Sequence, residues 1–122
     1  MNKKSIIIVL VALVASLTYI LWPRDVETAN LDAFAQCLAD KGATMYGAVW
    51  CPHCQTQKKL FGESVKLVPY VECPDNTSLC LAKGIEGYPT WLIGTSTRLV
   101  GTQSLDELSR ATSCPLPLEK AR

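Results

Sequence analysis

Histidine is nearly missing from this chain: His53 is the only one in 122 residues. A Cys–His–acid hydrolase triad would rest on that one ring. A copper carrier would lack the further histidine ligand that such a site favours. Excess charge is missing as well. Twelve Lys and Arg stand against eleven Asp and Glu, a net charge of +1 with no basic stripe, so no nucleic-acid partner is expected. Repeats and low-complexity tracts are absent.

Charge disappears altogether between Ile6 and Trp22. Those 17 residues would span about 25 Å as a helix, near the lower limit for crossing a bilayer. Lys3 and Lys4 precede the run, Pro23-Arg24-Asp25 ends it, and Tyr19 and Trp22 suit a membrane interface. No small-x-small cleavage site follows. An uncleaved signal anchor is therefore expected rather than a cleaved signal peptide. Residues 1–5 would be cytoplasmic, 6–22 transmembrane and 23–30 a polar linker. A single domain over 31–114 with a flexible tail at 115–122 would lie outside the cytoplasm, in a periplasm, at a cell surface or in a thylakoid lumen. A domain that small has a limited core and gains from covalent cross-links.

Cysteine is the residue in excess. Six in 122, in an exported chain, read as pairs, although six allow fifteen connectivities. Cys51-Pro52-His53-Cys54 follows an apolar run (43–50) and precedes a polar stretch able to form a helix. Strand, tight turn and helix place a Cys-x-x-Cys at a helix N-terminus, where free N–H groups and the positive end of the dipole favour a thiolate, the species that attacks disulfides. Cys51, at the exposed helix start, is the expected nucleophile. Cys54, one turn further in, is the expected resolving cysteine. His53 beside them would tune the pair towards oxidation by stabilising its reduced form. Cys73 and Cys80 flank a six-residue turn and could form a structural disulfide, or a shuttle pair exchanging with Cys51–Cys54. A four-thiolate zinc site is the rival, but the second spacing is too wide for a zinc knuckle, so no metal is expected.

Periodicity places a helix over 31–42, with Asn30 as N-cap and Gly42 as stop. A strand follows over 43–50, then a helix from Cys54 to Phe61 ended by Gly62. A second strand covers 65–73, with Pro69 marking an edge or bulge. A short helix over 78–83, a hairpin of 90–93 with 97–100, and a last helix opened by Ser104 complete the order. Glu107 would close a capping box with Ser104. This order fits an α/β domain, a mixed sheet covered by helices on both faces.

Gly84-Ile85-Glu86-Gly87-Tyr88-Pro89-Thr90, about 35 residues after the Cys-x-x-Cys and just before the hairpin, closely resembles the thioredoxin superfamily. The resemblance implies that Pro89 is cis and sits beside the cysteines. It also implies that the Tyr88 backbone pairs with an extended substrate, and that Trp50, Tyr88, Pro89 and Thr90 line the substrate side. In such a fold the first and last helices can be neighbours, which would join Cys37 to Cys114. Residues 45–62, 70–73 and 87–91 resemble more narrowly the thioredoxin-like domain fused to bacterial and plant vitamin K epoxide reductase homologues. That domain relays electrons from exported proteins to a quinone-linked membrane domain. Here one membrane helix replaces the quinone-binding bundle, so the acceptor would be another protein. Cys-Pro-His-Cys also resembles the DsbA oxidases, and Met45 stands where many thioredoxins carry a buried acid.

The function expected is a monomeric, cofactor-free oxidase of exported protein thiols, re-oxidised by a vitamin K epoxide reductase-like or DsbB-like partner. An extracytoplasmic reductase is the alternative, and a metal-binding or chaperone module a lesser one.

Overall fold

A computed structural model describes residues 2–21 and 31–117. Helix α1 (Lys3–Leu21) runs 19 residues, is apolar from Ile6 on, is covered by no other described residue, and is long and apolar enough to span a membrane. Trp22, the linker 23–30 with its candidate cap Asn30, and residues 118–122 lie outside the described residues.

The domain begins with α2 (Asp32–Asp40), which buries Phe34, Ala35 and Leu38 on one stripe together with the preceding Leu31. Asp32 in its first turn complements the helix dipole. Gly42, at φ +71°, turns the chain into β1 (Ala43–Gly47). The strand stops three residues short of the expected Trp50. Its apolar run continues, but the backbone of residues 48–50 is claimed elsewhere. Glu72 accepts from the Val49 N–H at 2.8 Å, Gln55 Nε2 donates to the Val49 carbonyl at 3.0 Å, and the Cys51 N–H bonds the Ala48 carbonyl at 3.1 Å. These groups cannot then join a ladder.

Helix α3 (Pro52–Phe61) opens at Pro52 rather than at Cys54, with Cys51 as its N-cap. Proline suits the first helical position, where its missing N–H costs nothing. The second strand is also shorter than expected. Residues 62–67 wind into a 3-10 turn, and only β2 (Tyr70–Glu72) is extended. The Val68 N–H is used within that turn, on the Val65 carbonyl. Pro69 has no N–H to offer, so pairing with β1 begins at its carbonyl, which accepts from the Met45 N–H at 2.9 Å. Cys73 starts the next turn rather than ending the strand.

Helix α4 (Thr77–Ala82), the hairpin β3 (Thr90–Ile93) and β4 (Thr97–Val100), and α5 (Leu105–Thr112) complete the chain. Ser104 caps α5 by accepting the Glu107 N–H at 3.1 Å. The capping box stays half made, because the Glu107 carboxylate pairs with Arg110 at 2.7 Å instead of turning back to Ser104.

The sheet order is β2-β1-β3-β4, with β2 parallel and β3 antiparallel to β1. Side chains alternate between its two faces. Ala43, Met45, Trp91 and Ile93 join a cluster with α2, α3 and α5, whereas Tyr46 packs with Cys73, Cys80 and Ile85 by α4. This parallel β–α–β unit followed by a hairpin and a helix makes the mixed-sheet α/β domain that the sequence order implied.

Candidate redox site

The Cys-Pro-His-Cys segment lies where β1 ends and α3 begins. Cys51 and Cys54 are the two unbonded cysteines. As N-cap of α3, Cys51 points its sulfur at the helix's open first turn, and the Cys54 N–H donates to Cys51 Sγ at 3.4 Å. A negative charge arriving on that sulfur meets a donor already in place. Cys51 is less open than its position at a helix start suggested. It is 5% exposed and Cys54 1%. The Cys51 thiol approaches the Tyr88 carbonyl at 3.7 Å.

The Tyr88–Pro89 bond is cis. Thr90 Oγ1 donates to the Gly87 carbonyl at 2.7 Å, and the Pro89 carbonyl takes the Gly101 N–H at 2.7 Å, tying this loop to the end of β4. Trp50 stands 65% exposed with its ring at 71° to that of Tyr88, 6.0 Å between centroids. Beside it Val49 is also exposed. Cys51, Trp50, Tyr88, Pro89 and Thr90 thus lie together. Pro52 and His53 are exposed on the first turn of α3, and the His53 carbonyl accepts from Thr102 Oγ1 at 3.3 Å.

Burial pushes the Cys54 thiol up to about 11. The Ala48 backbone bonded to its sulfur and the Lys58 charge pull the other way, while the neighbouring Cys51 adds to the rise. Cys54 therefore stays protonated at neutral pH. Met45 is buried in the same cluster and brings no acid to it.

The other four cysteines are bonded. Cys37 joins Cys114, linking α2 to the end of α5, and Cys73 joins Cys80 across the turn before α4. The Cys73–Cys80 sulfurs are buried with Tyr46 and Ile85, apart from the cluster that holds Cys51 and Cys54.

Four neighbours of the site were not singled out from the sequence. Gln57 is fully buried: its Oε1 accepts from Trp91 Nε1 at 3.2 Å and the Gln103 N–H at 2.7 Å, and its Nε2 donates to the Gln103 carbonyl at 3.0 Å. It pins α3 to β3 and to the connection into α5. The buried stripe Cys54, Gln57, Phe61 is its sequence signal, a polar residue at an inward helical position. Gly47 lies against Cys54, since a Cβ there would stand 2.7 Å from Cys54 Sγ. Tyr70 and Glu72, two apart and so on one face of β2, share a hydrogen bond from the phenol to the carboxylate.

No protein-family model matches the sequence. The chain is similar to the thiol-disulfide oxidoreductase LTO1 of Arabidopsis thaliana, 43% identical over 93 residues, covering 69% of this chain and 24% of the relative. It is also similar to a protein disulfide-isomerase of Aspergillus niger, 31% identical over 75 residues, covering 54% of this chain and 15% of the relative. The chain thus spans a quarter or less of the length of these relatives. Among solved structures, a thioredoxin of Nicotiana alata superposes with a TM-score of 0.48 at 19% identity, over 57% of this chain and 67% of that one.

Proposed function

We propose that this chain is a thiol–disulfide oxidoreductase, anchored by α1 with its domain outside the cytoplasm, that oxidises the thiols of exported proteins through Cys51 and Cys54. The observation that carries the reading is the division among six cysteines. Four are locked in two disulfides, and the two left over sit at one helix N-terminus with a backbone N–H on the outer sulfur. The names of the two sequence relatives support the same reaction class.

In the oxidised protein a substrate thiolate attacks Cys51 Sγ, the Cys51–Cys54 bond breaks, and Cys54 leaves as a thiolate that takes a proton from solvent. A second substrate thiolate then attacks the substrate sulfur and expels Cys51. Two substrate thiols become one disulfide, and the protein is left as a dithiol. The Tyr88 carbonyl beside Cys51 would receive an N–H of an extended substrate, and Trp50 offers an apolar surface next to it. Two electrons then leave the dithiol for a quinone-linked membrane partner of the vitamin K epoxide reductase or DsbB kind.

The test is the equilibrium potential of the Cys51–Cys54 couple, measured on the full chain in detergent against glutathione mixtures with thiol trapping. A value near about −120 mV, the DsbA end of the scale, is expected. A value near about −270 mV, the thioredoxin end, would reverse the direction and require an electron donor instead.

A further inference from the structure

Cys54 must carry a negative charge each time the Cys51–Cys54 bond opens or closes, yet it is buried and β1 gives it no titrating partner. Met45 and Gly47 are what β1 places there, and Trp91 of β3 joins the same cluster. The charged and titrating groups that do face it come from two elements. From α3 these are Cys51 and Lys58. Lys58 lies four residues on, hence on the same helical face, and its charge favours the Cys54 thiolate. From β2 it is Tyr70, whose ring edge and Cys54 Sγ flank the same bare backbone at Gly47: a Cβ there would lie 3.3 Å from Tyr70 Cε2 and 2.7 Å from the sulfur.

Lys58 is not free to wander. Its Nζ sits 3.7 Å from the centre of the Tyr70 ring, a close cation–π contact. Lys58 is half-buried, whereas the adjacent Lys59 is exposed. Tyr70 is fixed in turn, since its hydroxyl donates to Glu72, and the other Glu72 oxygen accepts the Val49 N–H at 2.8 Å. Burial, followed by the Glu72 carboxylate, holds the phenol protonated well above its ordinary range, so it remains a donor in that bond. A chain of contacts therefore runs from the turn before Cys51, through Glu72 and Tyr70, to the ammonium of Lys58, one helical turn on from Cys54.

We infer that Lys58 is the counter-charge for the Cys54 thiolate, and that Tyr70 and Glu72 are positioning residues that hold it there. The inference rests on the exchange reading above. In the closing step the Cys54 thiol gives its proton to solvent, and the thiolate attacks Cys51 Sγ of a Cys51–substrate mixed disulfide. The Cys51–Cys54 bond forms, the bond to the substrate breaks, and the substrate leaves as a thiolate. In the opening step Cys54 is expelled as a thiolate and regains a proton. Lys58 lowers the energy of the charged sulfur in both directions.

The test uses the full chain in detergent, reduced and mixed with glutathione disulfide. Acid-quenched samples resolve attack by Cys51 from closure by Cys54. Lys58→Gln is expected to slow closure about threefold at neutral pH, a smaller thiolate fraction partly offset by a more nucleophilic thiolate, and to move the rise of its pH profile to higher pH. Attack by Cys51 should change less than closure, Lys58→Arg should restore closure, and Tyr70→Leu should behave like Lys58→Gln. A closure profile unchanged by Lys58→Gln would overturn the inference, as would an equal loss in both steps. A second measurement is independent of exchange: alkylation of Cys54 in a Cys51→Ser background, whose rate follows the thiolate fraction. It should fall about threefold with Lys58→Gln, and an unchanged rate overturns the assignment. A reduced wild-type chain that leaves glutathione disulfide untouched, while the alkylation rate still falls, would sink the exchange reading and leave Lys58 in its role.

Discussion

Cys51 and Cys54 lie three residues apart and unbonded, whereas Cys73 and Cys80 lie seven apart and joined. The difference lies in what surrounds the sulfurs. Cys51 caps a ten-residue helix, with an N–H on its sulfur, the Tyr88 carbonyl beside it and exposed Trp50 at its edge. Cys73 and Cys80 sit on the other face of the sheet, closed in by Tyr46 and Ile85. Two cysteines near each other in sequence do not make a redox site. The unbonded pair is set apart by its helix terminus, the N–H on its outer sulfur and the exposed ring beside it.

The comparison breaks most sharply at the sulfurs themselves. Cys51→Ser should abolish exchange. Cys54→Ser should leave Cys51 able to attack but unable to release its partner, so mixed disulfides should accumulate and be visible on non-reducing gels. Equal behaviour of the two variants would remove the division of labour between nucleophile and resolving cysteine. Cys73→Ala with Cys80→Ala should leave exchange in place at temperatures where the protein stays folded.

Stability should order the pairs differently. In the chain-entropy model, the Cys37–Cys114 bridge, closing a separation of 77 residues, is worth roughly 4–5 kcal/mol. The Cys73–Cys80 bridge, with a separation of 7, is worth about 2.5 kcal/mol. Replacing Cys37 and Cys114 by Ala should therefore lower the thermal midpoint more than replacing Cys73 and Cys80. The reverse order, read by calorimetry on the four-cysteine variants, would show that local packing around Cys73 outweighs loop closure.

The sequence carried these sulfurs well and their surroundings poorly. Cys51-Pro52-His53-Cys54 before a helix, and Gly87-Tyr88-Pro89-Thr90 before a hairpin, are local patterns, and local patterns can be read. The ends of β1 and β2 were lost because short apolar runs do not separate strand from turn. Val49 and Trp50 continue the apolar run of β1 but are exposed, and residues 65–67, in a stretch that read as strand, wind into a 3-10 turn. Gln57, Lys58 and Glu72 were missed for another reason. Gln57 and Lys58 are close to Cys54 along α3, but the groups that fix them, Gln103 and Tyr70, lie far along the chain, as Val49 does from Glu72, and only the fold brings these partners together.

The smallest expected effect sharpens the comparison most finely, because it tests a single contact. Gly47 leaves room for Cys54 Sγ, and a Cβ at 2.7 Å from that sulfur is closer than the atoms can sit. Gly47→Ala forces the sulfur or β1 to move, with a cost in the overpacking range of about 1–3 kcal/mol. If the sulfur is what gives way, closure by Cys54 should slow more than attack by Cys51, since the displaced atom is the one that must reach Cys51. A double-mutant cycle separates this from general damage to the strand. In a Cys54→Ala background the obstructing sulfur is gone, so most of the penalty of Gly47→Ala should disappear in chemical unfolding. A penalty unchanged in that background would place the cost in β1 itself, where Tyr70 Cε2 lies 3.3 Å from the same point, and would leave Cys54 packed no more tightly than the pair on the far side of the sheet.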